Sequence, residues 1–135
     1  VTAGVVHAGT FDANPIALAA VDATMHALAD PAVHEALEET SSEFETLVGG
    51  VLRSVPGCGS FNRVGSLLRY VSADGATGLR GTGGLWTVIL EGMLRQGFLF
   101  MPSGKVFLST AHTTADIEAT AGALGQVLLD HHRVC

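Results

Sequence analysis

Few side chains in this sequence could do chemistry, and the sharpest grouping of them is His7-Ala8-Gly9-Thr10-Phe11-Asp12-Ala13-Asn14-Pro15. Gly9 and Thr10 set an unhindered backbone N–H beside a hydroxyl, a donor pair suited to a phosphate oxygen. Asn14-Pro15 is a helix start, with asparagine as cap and proline preorganised at the first helical position. The segment reads as a small anion-holding turn feeding a helix. Taken alone it is equally an ordinary capped turn, and His7 fits either as a neighbour of the anion or as a turn residue. Lys105 is the only lysine. Its Pro102-Ser103-Gly104-Lys105 context is a tight turn, which supplies neither the burial nor the cationic neighbour that a nucleophilic amine needs.

Other suggestive residues have plainer readings. Gly78-Leu79-Arg80-Gly81-Thr82-Gly83-Gly84 has the glycine content of a phosphate loop but not the spacing of a dinucleotide or P-loop fingerprint, so it reads as a surface connection. His131-His132 with Cys135 could touch a metal, yet the histidines are adjacent rather than one helical turn apart, and no metal site is expected. His112, in Ser109-Thr110-Ala111-His112-Thr113, reads as a polar corner between strand and helix, with Thr113 capping the helix. Cys58 and Cys135 are the only cysteines; nothing in the sequence supports a disulfide between them over the plainer reading, two free thiols in a reducing compartment. No nucleophile with a partner base and no paired carboxylates stand out.

A second stretch bears on the first. Gly97-Phe98-Leu99-Phe100-Met101-Pro102-Ser103 is followed by Leu108-Ser109-Thr110-Ala111-His112-Thr113-Thr114-Ala115-Asp116-Ile117. Together with Ala8-Gly9-Thr10 and Asn14-Pro15, in this order, these residues resemble the C-terminal part of the class III (fold type I) pyridoxal-phosphate aminotransferases, closest to the branch of the glutamate-1-semialdehyde 2,1-aminomutases. The likeness is weakest between about residues 40 and 84, where Arg63-Val64-Gly65-Ser66-Leu67 carries it. It implies that Gly9 and Thr10 contact the phosphate of pyridoxal phosphate across a homodimer. It further implies that the Schiff-base lysine and the aspartate on the ring nitrogen lie in a large domain that precedes these residues, and that the substrate is a small amino acid or amino aldehyde. No arginine is assigned to a substrate carboxylate, since Arg63, Arg69 and Arg80 fall where the likeness is weakest.

These residues need elements to position them. Ile16, Leu18, Val21, Met25 and Leu28 recur at helical spacing in an alanine-rich segment from Asn14 to about Ala29. A second helix starts at Asp30-Pro31, with Val33, Leu37, Phe44, Leu47, Val48, Val51 and Leu52 on one side and Glu35, Glu38, Glu39, Glu43 and Glu45 on a solvated side. Val64 to Val71 reads as one strand. Ser72 to Gly84 reads as a loop, and Leu85 to Leu94 as a helix that Gly97 ends. Phe98–Met101 and Val106–Leu108 read as two further strands. Thr113 with Asp116 resembles a capping box for a last helix with Ile117, Leu124, Val127 and Leu128 inside. The expected fold class is α/β (α+β): a short, mainly antiparallel sheet covered by helices. Residues 1–30 would form the phosphate-contacting turn and a linking helix, and residues 31–135 the small C-terminal domain.

Composition agrees with part of a larger assembly. The 135 residues are 47% hydrophobic and only 15% charged, with a mean hydropathy of +0.39. Such a chain is expected to present apolar surface to a partner, which the resemblance implies to be the large domain and a second subunit. A net charge of −6 with seven scattered basic residues argues against nucleic acid and against an anionic membrane surface. No run approaches the roughly 18 apolar residues of a spanning helix, and a cytoplasmic setting is expected. The alternative is a stand-alone, non-catalytic binding or assembly module derived from the same domain.

Overall fold

The computed structural model describes residues 9–11, 14–73 and 84–132. The Gly78–Gly84 loop up to residue 83, His7 and Cys135 lie outside them. The chain forms two compact units, Val1–Glu35 and Ala36–Cys135.

The first unit is dominated by α1, Pro15–Leu28. Asn14 caps it, its Oδ1 accepting from the N–H of Ile16 at 2.9 Å and of Ala17 at 3.4 Å, with Pro15 at the first position. None of its residues is buried: Ile16 is 82% and Met25 61% exposed, and Val21 stands open between them at 56%. The helical spacing of these apolar residues is real, but nothing described covers them.

The second unit holds most of α2 (Pro31–Ser54), β1 (Ser60–Val64), β2 (Leu67–Val71), α3 (Leu85–Arg95), β3 (Lys105–Phe107) and α4 (Thr114–His132). The strands form one antiparallel sheet in the order β1-β2-β3. Phe44, Val48 and Leu52 of α2, Trp86, Ile89 and Met93 of α3, and Ile117, Leu124 and Leu128 of α4 are buried with Phe61, Leu68 and Tyr70 of the sheet. The expected helix-covered antiparallel sheet is therefore what forms. Tyr70 and Trp86 stack at 4.3 Å between centroids, and Phe61 meets Phe44, Tyr70 and Trp86 edge-on. The Tyr70 hydroxyl donates to the Cys58 carbonyl at 3.0 Å, so the phenol is buried with its polar end satisfied.

Three expectations need correction. The single strand over Val64–Val71 is a hairpin: Val64 pairs with Leu67, and Gly65, at φ +55°, makes the two-residue turn with Ser66. A glycine at the first turn position supplies the positive φ that such tight hairpins require, and Gly65-Ser66 was the signal for it. Phe98–Met101 is not a strand, because no neighbouring strand offers it a ladder. Instead the Phe98 N–H closes the end of α3 on the Met93 carbonyl at 2.9 Å, with Gly97 at φ +89°. Nor is the acidic side of α2 merely solvated. Glu45 and Glu38 accept from Arg63 at 2.7 and 2.8 Å, holding β1 to the helix, and Glu43 accepts from the Thr114 hydroxyl at 3.0 Å. The bonds to Glu45 first, then Glu38, raise the Arg63 pKa further.

Where α3 meets α4, a Cβ added at Gly92 would stand 2.6 Å from Val127 Cγ1. Gly92→Ala should therefore lower the unfolding free energy by about 1–3 kcal/mol, the range for overpacking a core. Val127→Ala in the same chain should recover part of that loss, and a denaturant double-mutant cycle measures the coupling. Additive effects of the two substitutions would contradict this packing.

Candidate functional site

Gly9 and Thr10 are both exposed, at a turn that ends where the Asn14 N–H donates to the Phe11 carbonyl at 3.0 Å. The side chain of Asn14 already takes the N–H groups of Ile16 and Ala17, so the first turn of α1 has two fewer free donors for an anion. The open donors are those of the preceding turn. Neither Gly9 nor Thr10 hydrogen-bonds to another described residue. The positive end of the α1 dipole favours a negative charge at the same place. Chemically, the turn can hold an anion and do nothing else: it contains no titratable group among the described residues.

The second motif folds into a corner in the other unit. The Ser109 N–H donates to Nδ1 of His112 at 3.0 Å, and the His112 N–H donates to the Ser109 carbonyl at 3.1 Å. With Nδ1 accepting, the proton of the neutral ring sits on Nε2. His112 thus acts in the structure as the brace of a strand-to-helix corner.

Thr113 and Asp116 then form the capping box. The Thr113 N–H and hydroxyl both donate to Asp116 Oδ2, at 2.8 and 2.7 Å, while the Asp116 N–H donates to Thr113 Oγ1 at 3.2 Å. The backbone N–H of Thr113 first, and its hydroxyl second, lower the pKa of Asp116. Beside the corner lies an open, mostly apolar hollow of about 410 Å³ bordered by Phe44, Phe98, Leu108, His112 and Ile117.

The remaining candidates are accounted for individually. Lys105 begins β3 and is exposed. Cys58 is buried and free, and burial pushes its thiol pKa up, which suppresses the reactive thiolate. Sequence reasoning missed the Arg63 clamp, although an arginine following an acidic helix side was a signal for it. Among the described residues no single helix is long and apolar enough to cross a membrane.

Over 132 aligned residues the chain is 33% identical to a glutamate-1-semialdehyde 2,1-aminomutase of Thermus thermophilus, covering 92% of this chain and 31% of that protein. A protein of the same name from Desulfatibacillum aliphaticivorans is 34% identical over 135 residues, again covering 92% and 31%. The chain thus spans about 31% of the length of these curated relatives. An omega-transaminase from Sphaerobacter thermophilus superposes with a TM-score of 0.74 at 24% identity, over 95% of this chain and 31% of that one. At that identity the superposition speaks for the fold. No family model matches the chain.

The capping box has a pH signature. The folded-state pKa of Asp116 lies below the ordinary value of 3.8, so its stabilisation is fully present above that value and is lost as pH falls through the lowered one. Asp116→Asn should be less stable than the parent at neutral pH, and the gap should close only in acid below the ordinary carboxylate range. Thermal midpoints of both proteins across this range are the measurement, and a pH-independent gap would refute the link.

Proposed function

We propose that the chain is the C-terminal part of a class III aminotransferase, and that it serves a pyridoxal-phosphate aminotransferase or aminomutase of the glutamate-1-semialdehyde type by holding the cofactor phosphate and closing the substrate cleft; its likeness to the aminomutases and its superposition on a transaminase support this reading. The observation that carries this reading is the open Gly9-Thr10 turn feeding a capped helix whose apolar residues are all uncovered. A helix like α1 needs a partner surface, and a donor turn at its positive end suits a phosphate.

Gly9 and Thr10 fit the phosphate by the chemistry of their donors: an N–H without a side chain to obstruct it, and a hydroxyl with no competing acceptor. When bound, the cofactor supplies an electron sink for bonds at the substrate's amino-bearing carbon. This chain's share is positional. Gly9 and Thr10 hold the phosphate of a cofactor seated in the neighbouring subunit of a homodimer, residues 1–30 link the turn to the large domain, and residues 31–135 move as the small domain over a small amino acid or amino aldehyde. The large domain contributes the Schiff-base lysine, consistent with the exposed position of Lys105. The buried, free Cys58 supports a reducing, cytoplasmic setting.

Two measurements test this assignment. In the complete enzyme, Thr10→Ala should remove one charge-assisted hydrogen bond of roughly 1.5–3 kcal/mol. Cofactor affinity should fall by about 10- to 100-fold on titration of the apo-enzyme, while turnover at saturating cofactor changes much less. Unchanged affinity would reduce the turn to a helix entry. Separately, the isolated chain should self-associate or bind a hydrophobic dye through α1, and replacing Ile16 and Met25 together by serine should suppress this. A monodisperse monomer with negligible dye binding would favour a stand-alone module.

A further inference from the structure

The outer side of the three-stranded sheet carries a cationic arrangement that the fold does not require. In this acidic chain, Arg63 is bonded to Glu45 and Glu38, Arg95 lies 3.8 Å from Glu91, and Arg53 donates to the Glu45 carbonyl at 3.4 Å. Among the described residues Arg69 and Lys105 are the two cations left without an acceptor. They stand directly opposite each other, Arg69 in β2 and Lys105 in β3. Like charges in directly opposed positions destabilise a sheet. An acidic chain with thirteen Asp and Glu residues had ample means of placing a carboxylate there.

The polar atoms at this place tell the same story. Among the described residues three buried side-chain polar atoms have no hydrogen-bond partner: Trp86 Nε1 in the aromatic core, Arg69 Nε and Ser103 Oγ. Ser103 is two residues ahead of Lys105, and the Tyr70 N–H donates to the Gly104 carbonyl at 2.8 Å, so the pairing of β2 with β3 runs on into that turn. A desolvated guanidinium N–H is therefore set across from an ammonium group with no carboxylate bonded to either, and an unpaired hydroxyl stands in the turn that leads into β3. Leaving such donors unpaired is costly, and charged ones more so. The nearby carboxylate of Asp116, which borders the same hollow as Lys105, is already engaged by Thr113.

Beyond the cations, Val64, Leu67 and Phe107 form a bare apolar row across the same side of the sheet, 83%, 40% and 57% exposed. We propose that Arg69, Lys105 and Ser103 form a binding site for a small organic anion, whose carboxylate or phosphate oxygens take the three donors while its carbon skeleton lies on Leu67 and Phe107. The planar guanidinium favours two-point contact with such oxygens, and the lysine adds a mobile point charge. This site is separate from the Gly9-Thr10 turn and does not rest on the pyridoxal-phosphate reading.

The test is an NMR titration of the arginine Nε–H resonances of the full chain with acetate, hexanoate and inorganic phosphate at constant ionic strength, with chloride as reference. The Arg63 signal, already bonded to Glu45, is the internal control. A saturable shift confined to Arg69 is expected, with hexanoate binding more tightly than acetate. Saturation by phosphate alone would assign the ligand as a phosphate ester, and saturation by the carboxylates alone as a carboxylic acid. Lys105→Gln should weaken binding by about tenfold, the equivalent of ~1.4 kcal/mol. As Lys105 is exposed, that variant is expected to fold even if Arg69→Gln does not. A response no different from chloride, or unchanged affinity in Lys105→Gln, would overturn the site.

Discussion

The stack of Tyr70 on Trp86 is the contact on which the second unit depends. The rings lie 4.3 Å apart at 17°, with Phe61 edge-on to both and Phe44 and Phe100 closing the cluster. These five rings come from α2, β1, β2, α3 and the segment before β3, so one packing solution sets the height of two helices over the sheet. Each aromatic pair contributes about 0.5–1.5 kcal/mol beyond the area it buries. Geometry matters more than the sum here. A flat stack fixes where α3 begins on the sheet, and the Tyr70 hydroxyl on the Cys58 carbonyl ties the end of α2's connection to the same ring. The unpartnered Trp86 Nε1 shows that ring packing has prevailed over complete hydrogen bonding.

Charge is arranged differently on the two sides of the sheet. Towards α2, Arg63 is 17% exposed and forms two bonds to carboxylates, so a cation near the core is compensated where it sits. On the outer side, Arg69 and Lys105 face each other uncompensated. A partly buried arginine with two carboxylates is a device for holding a strand to a helix. An arginine opposed to a lysine has no structural use of that kind, in keeping with the proposed anion site.

The two units also differ in what completes them. The second has its own aromatic core, whereas α1 in the first buries nothing. An apolar helix gains little from its own capping and propensity. Its stability comes from the surface it covers, and among the described residues nothing covers it. The donors of Gly9 and Thr10 stand at the start of that helix, so whatever positions α1 positions them.

Local chemistry was legible in the residues themselves. Asn14-Pro15, Asp30-Pro31, the Thr113–Asp116 box and Gly97 mark helix ends because caps are satisfied within three or four residues, and the spacing of Ile117, Leu124, Val127 and Leu128 marked the buried side of α4. The two motifs that carry the family resemblance were likewise readable, since they are contiguous. Tertiary structure decided the rest. It denied Phe98–Met101 a ladder and set Arg69 across from Lys105, and it realised the hairpin at Gly65 and the bonds of Glu38 and Glu45 to Arg63 that the residues only signalled. Each of these depends on a partner distant in sequence or on a choice of register. A cap is satisfied by its own helix, but a strand or an ion pair exists only when another part of the chain arrives to meet it.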